Sequence, residues 1–139
     1  MPTPIIIGIG GDLFSAVAEG NISGGAFVKA GSYTSTVTAL SAAQYDYSKI
    51  KVSTGGSGLE CVGLALYDRA SGTTNEVAVL RRGTILIAAN GNVQASRQVE
   101  PDDAAAAAQV STAANAARGI GRALTTAASG GFCIVNLNL

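Results

Sequence analysis

Gly63-Leu64-Ala65-Leu66-Tyr67-Asp68-Arg69-Ala70-Ser71-Gly72 returns 58 residues later as Gly121-Arg122-Ala123-Leu124-Thr125-Thr126-Ala127-Ala128-Ser129-Gly130. The same offset extends without gaps. Gly25 falls on Gly83, Ala30 on Ala88, Val52-Ser53-Thr54 on Val110-Ser111-Thr112, and Val77 and Val79 on Val135 and Leu137. Laying residues 23–80 over 81–138 gives 12 identities in 58 positions, six of them between Gly63 and Gly72. Composition alone would give about 5 in a chain so rich in small residues. A fixed period marks a duplicated supersecondary unit. Within each unit the apolar runs are short, rich in β-branched residues and bounded by Gly, Ser and Asn, which is how strands read. The expected fold is mainly β, a small barrel or sandwich from two pseudo-repeated halves (23–80 and 81–138) in one domain over 23–139.

Working outward, a strand is expected from Ile22 to Val37, centred on Ala26-Phe27-Val28-Lys29, with Tyr33 to Thr38 as a second one. Ile50 and Val52 alternate with Lys49 and Lys51, a period of two with one wet face. Leu59–Leu66 and Glu76–Leu80 complete the first half. In the second half Thr84–Ala88 is a strand, Asn90-Gly91 is a hairpin signal, and Asn92–Arg97 is its return. Gly119–Leu124 and Cys133–Leu139 follow; in the latter Val135, Leu137 and Leu139 point inward and Asn136 and Asn138 outward. Residues 102–109 predict a short Ala-rich helix: Pro101 suits a first turn and Asp102 and Asp103 favour the positive end of the helix dipole. The offset of 58 places Val110 on a strand, so the stretch to Arg118 is expected to be irregular or extended.

Residues 1–22 break the repeat. Pro2 and Pro4 disfavour helix, the isoleucines that follow suit a strand, and Gly8, Gly10 and Gly11 loosen the backbone. This reads as an extended N-terminal arm that must cover its apolar residues on its own domain, a neighbouring subunit or a larger partner. Ile5, Ile6, Ile7, Ile9, Leu13 and Phe14 are the candidate partner-binding residues. No Lys or Arg precedes Lys29, so the positive region of a signal peptide is missing and none is predicted. No run approaches the roughly 18 apolar residues of a membrane span.

A chain of 139 residues with nine basic and nine acidic side chains has zero formal charge. That argues against tracking nucleic-acid phosphates, which needs clustered Lys and Arg. With 13% charged residues, little repels one copy from another protein. The chain has no histidine, which removes Ser-His-Asp and Cys-His catalysis and histidine metal sites. Cys61 and Cys133 read as two small buried residues; a disulfide between them is the alternative. Gly8-Ile9-Gly10-Gly11-Asp12-Leu13 approaches a dinucleotide fingerprint but lacks the third glycine and the strand–helix context. Glu100, Asp102 and Asp103 form an acidic cluster that reads as a solvated helix start before it reads as an acid–base site. Arg81-Arg82 is a basic pair at the junction of the halves, a solvated turn or a contact for an acidic patch. Tyr45 and Tyr47 flank Asp46 in a loop. No catalytic residue, metal or cofactor is expected.

The repeated unit carries a resemblance. Gly25-Ala26-Phe27-Val28-Lys29 is followed by Val62-Gly63-Leu64-Ala65-Leu66, Ala70-Ser71-Gly72, Glu76-Val77-Ala78-Val79-Leu80 and Arg82-Gly83-Thr84-Ile85-Leu86. This order resembles the head decoration, or capsid cement, proteins of tailed viruses of bacteria and archaea. The resemblance covers residues 20–90, and the C-terminal third through the repeat. It implies a mostly β structural protein, a homo-trimer or a dimer, that binds the major capsid protein outside an assembled shell and bridges its subunits. It also implies synthesis in the host cytoplasm, a place on the virion surface, and no contact with nucleic acid or membrane. The rival readings are another virion component (tail-tube, spike or shell subunit) and a small-ligand-binding β domain or enzyme using the acidic cluster.

Overall fold

The computed structural model describes residues 5–31, 50–55, 60–70, 76–102 and 109–139. They form nine strands: β1 (Ile5–Ala18), β2 (Phe27–Ala30), β3 (Lys51–Thr54), β4 (Cys61–Ala65), β5 (Glu76–Ala89), β6 (Gln98–Pro101), β7 (Gln109–Thr112), β8 (Gly121–Ala123) and β9 (Phe132–Asn138). Among the described residues the sole helical piece is a 3₁₀ turn at Ala116–Arg118. The mainly β expectation therefore holds. Most of the Ala-rich stretch, Tyr45 to Tyr47 and the strand expected at 33–38 lie outside the described residues.

The strands close into two five-membered rings that share β5. The first runs β1-β3-β2-β4-β5 and shuts where β5 pairs with β1; the second runs β5-β7-β6-β8-β9 and shuts where β9 pairs with β5. Their registers match step by step. Val17↔Lys51, a parallel pair, has its counterpart in Ala88↔Gln109. Val28↔Thr54 matches Val99↔Thr112, and Val28↔Gly63 matches Val99↔Gly121. Phe14↔Val79 matches Ile85↔Val135. Side-chain bonds recur as well: Thr54 Oγ1 donates to Asn21 O at 3.3 Å, and Thr112 Oγ1 to Asn92 O at 3.2 Å.

These registers correct the constant offset of 58. The shift is 71 from β1 through β2 (17 to 88, 28 to 99). It is 58 for β3 and β4 (51 to 109, 63 to 121) and 56 for the closing strand (79 to 135). Val52-Ser53-Thr54 and Gly63 keep their expected counterparts. Gly25 and Ala30 do not: they match Ser96 and Pro101, and Val77 matches Cys133. The segment between β2 and β3 is longer than that between β6 and β7, and this difference breaks the register.

Of the three placements open to the arm, its described residues 5–22 take the first, its own domain: β1 closes the first ring, and its N-terminal half continues along the second, Ile5 facing Leu86 and Ile9 facing Gly83. Two further expectations change. Arg81-Arg82 is the middle of β5, not a turn. Asn90-Gly91 is not a hairpin, because Asn90 N–H donates to Val110 O at 2.8 Å and residues 92–97 hold one isolated bridge, Val93↔Ala127. Gly91 (φ 84°) and its counterpart Gly20 (φ 90°) each turn a corner out of a long strand.

Alternation sets the cores. Inside the first ring lie Ala16, Ala18, Ile22, Val28, Val52, Ala65, Val77 and Val79. Their counterparts inside the second are Ile87, Ala89, Val93, Val99, Val110, Ala123, Cys133 and Val135. Phe27, Cys61, Leu64 and Leu80 join this second cluster from the first ring's strands, so they weld the rings together. β4 and β8 approach their neighbours closely: a Cβ on Gly63 would lie 2.6 Å from Leu80 O, and one on Gly121 would overlap Asn136 O.

Gly121→Ala is expected to lower unfolding free energy in urea by about 3 kcal/mol, since the added methyl has no room. Ser96, at φ 72°, holds the turn its counterpart Gly25 makes at 83°. A non-glycine residue there costs about 1 kcal/mol, so Ser96→Gly should raise stability by roughly half of that.

Candidate functional site

The six residues expected to face a partner all lie on β1, and alternation along the strand divides them. Ile6 packs against the second core and Phe14 against the first. Ile5 is 60% exposed and Leu13 44%. Ile7 and Ile9 are strand positions between them. The Gly8-Ile9-Gly10-Gly11 run is part of this strand, which continues to Ala18, so no helix opens after the glycines. Leu124 and Phe132 are further exposed apolar side chains, 54% and 52%. Neither stood out in the sequence, where both sit among residues that read as strand or turn.

Several of the charged groups are committed to local contacts. Asp12 lies between the two junction arginines, 3.5 Å from Arg81 Nη1 and 3.6 Å from Arg82 Nε. Arg81 also donates to Leu139 O at 3.1 Å, and Leu139 N–H donates back to Arg81 O, which pins the last residue to β5. Glu100 is buried on β6 and accepts from Arg118 Nε at 2.6 Å. Asp102 accepts from Asn90 Nδ2 at 2.7 Å. The acidic pair is thus drawn to different partners, and Asp103 lies outside the described residues. The Glu100–Arg118 pair was invisible in the sequence because its members are 18 positions apart on different elements.

Among the described residues, two open clefts bear on the acidic-site reading. One, of about 520 Å³, is lined by Glu19, Lys29, Ala30, Gly31, Ser53 and Glu60. The other, of about 420 Å³, includes Arg97, Gln98, Asn115 and Arg122. Neither contains Glu100 or Asp102. Among the described residues no group of three or more His, Cys, Asp or Glu is placed to hold a metal ion. Cys61 and Cys133 are both buried and free. Burial pushes the Cys61 thiol up to about 11, opposed to a smaller extent by a backbone hydrogen bond with Gly63, and burial also raises Cys133. Ile5 and Leu13 on β1, like Leu124 and Phe132, keep apolar side chains at the surface.

No protein-family model matches the chain, and no curated protein matches it. A solved structure does: the chain is similar to the head fiber gp8.5 N base of bacteriophage phi29. The TM-score is 0.57 at 12% identity, and the likeness covers 91% of this chain and 93% of that one. At that identity the two share a fold.

Two outcomes follow from this chemistry. Thiol reagents at pH 8 should label native protein far more slowly than urea-unfolded protein, because both sulfurs are buried and remain protonated. Arg118→Ala should cost about 3 kcal/mol in urea unfolding by leaving the Glu100 carboxylate buried alone. Replacing both residues with leucine should recover most of that loss.

Proposed function

We propose that this protein is a structural component of a tailed-virus particle that binds the outside of the assembled head, holds the major capsid protein and stabilises the shell by bridging its subunits. The observation that carries the reading is the fold it shares with a phage head-fiber base over nearly the full length of both chains. The decoration-protein resemblance of the repeated Gly-x-Ala-Leu unit supports it from the residues themselves. In this reading the protein is no enzyme and uses no cofactor. Its charged groups stabilise the fold, and its equal numbers of acidic and basic residues leave it indifferent to nucleic acid and membrane surfaces. It is made in the host cytoplasm and acts on the virion surface as a homo-oligomer, so that several weak contacts with the shell add up.

A second reading is favoured by one observation, the description of the similar structure as the base of a head fiber. Here too the protein docks on the shell, but its outward end carries a projecting fiber.

The test is to add purified protein to capsids of its virus that lack it. Saturable co-sedimentation, density on the outer surface in electron micrographs and later rupture on heating are the expected results. Protein that ignores capsids and polymerises alone into tubes or sheets would instead identify a tail-tube or shell subunit.

A further inference from the structure

We infer that the cleft beside β6 and β8 is a carboxylate-binding site, through which the outer face of the second ring takes an acidic segment of a partner protein. The site belongs to the isolated protein and is independent of the capsid reading.

The first ring shows what this face does when it is occupied. Phe27, Leu64 and Leu80 form one cross-strand row over β2, β4 and β5. All three are buried in the second ring's core cluster. The same row on the second ring runs Gln98, Arg122 and Asn136 over β6, β8 and β9. There Arg122 and Asn136 are exposed and Gln98 is half-buried. The row that holds a neighbour in one ring thus presents a guanidinium between two carboxamides in the other, so the neighbour it fits is polar and negative.

The charges agree. Arg97 and Arg122 line one cleft of about 420 Å³, and no Asp or Glu lines it among the described residues. Neither arginine has an acidic partner among those residues. Elsewhere Arg81 and Arg82 share Asp12, Arg118 holds Glu100, and Arg69 donates to Glu76 O and lies over the Tyr67 ring. Arg122 Nη1 donates to Ser96 O at 2.9 Å. That bond steadies the guanidinium beside the turn leading to Arg97 and leaves its other N–H groups for an incoming acceptor. Asn115 Oδ1 accepts from Ala117 N–H at 3.1 Å, so its NH₂ is a further donor at the cleft. Guanidinium forks pair with carboxylates through two parallel bonds, and opposite charge across an interface selects the partner. Two arginines are too few to track a phosphate backbone. No aromatic side chain lines the cleft for a base to stack on.

In an NMR titration of the purified protein, hexaglutamate should give saturable shifts at the amides of Ser96 to Gln98 and Gly121 to Ala123, weakening as salt is added. Arg97→Gln with Arg122→Gln should bind it about tenfold more weakly while keeping the wild-type spectrum away from the cleft. Arg69→Gln, outside the cleft, should bind as the wild type does. Absence of saturable shifts at the cleft, or equal binding by the double variant, would overturn the inference. So would inorganic phosphate or a single-stranded oligonucleotide binding there as tightly as the peptide.

Discussion

Strand β5 must satisfy both of its edges and both of its faces at once, and the rest of the fold depends on how it does so. Its 14 residues take β1 along one edge, then β7; on the other they take β4, then β9. The first half closes one ring and the second half opens the next. Its alternation buries Val77 and Val79 in the first core and Ile85 and Ile87 in the second. Arg81 and Arg82 fall at the changeover, and Asp12 on the facing strand compensates them there. A charged pair in mid-strand is tolerated because both guanidinium groups stay partly in water, with their stems along the sheet.

The same sharing explains why there are two rings. Phe27, Cys61, Leu64 and Leu80 point out of the first ring and are buried against the second. Their counterparts on the second ring are Gln98, Gly119, Arg122 and Asn136, none of them buried. Apolar residues at these positions create a docking face for another ring, and polar ones end the series. A difference of four side chains thus separates an inner unit from a terminal one, much as capping units end repeat arrays.

Most of the strand content was legible because period-two alternation survives without tertiary knowledge: β9 shows Val135 and Leu137 buried and Asn136 and Asn138 exposed, as expected. The register of the halves was legible from Val52-Ser53-Thr54 to Gly63, where the offset of 58 holds through β3 and β4. It was hidden at the N-terminus because the change in the β2–β3 connection shifts the offset from 58 to 71. At 71, Gly20-Asn21 aligns with Gly91-Asn92, the two corners that would have shown β1 to be the partner of β5. Asn90-Gly91 misled for the same reason: a turn signal states local φ, and which strand receives the chain is decided by distant hydrogen bonds. Of the candidate surface, the sequence located the strand but not its two sides, which required the pairing partners to be known.

If β5 binds the rings into one unit, they must gain and lose structure together. Native-state hydrogen exchange, comparing the wild-type protein with Leu80→Ala, measures this directly. The slowest amides of β2 in the first ring and β9 in the second should share one opening free energy. The substitution should lower both by the same amount, about 3 kcal/mol for a buried leucine. Loss of protection in the first ring with the second left unchanged would contradict a fold built on one shared strand.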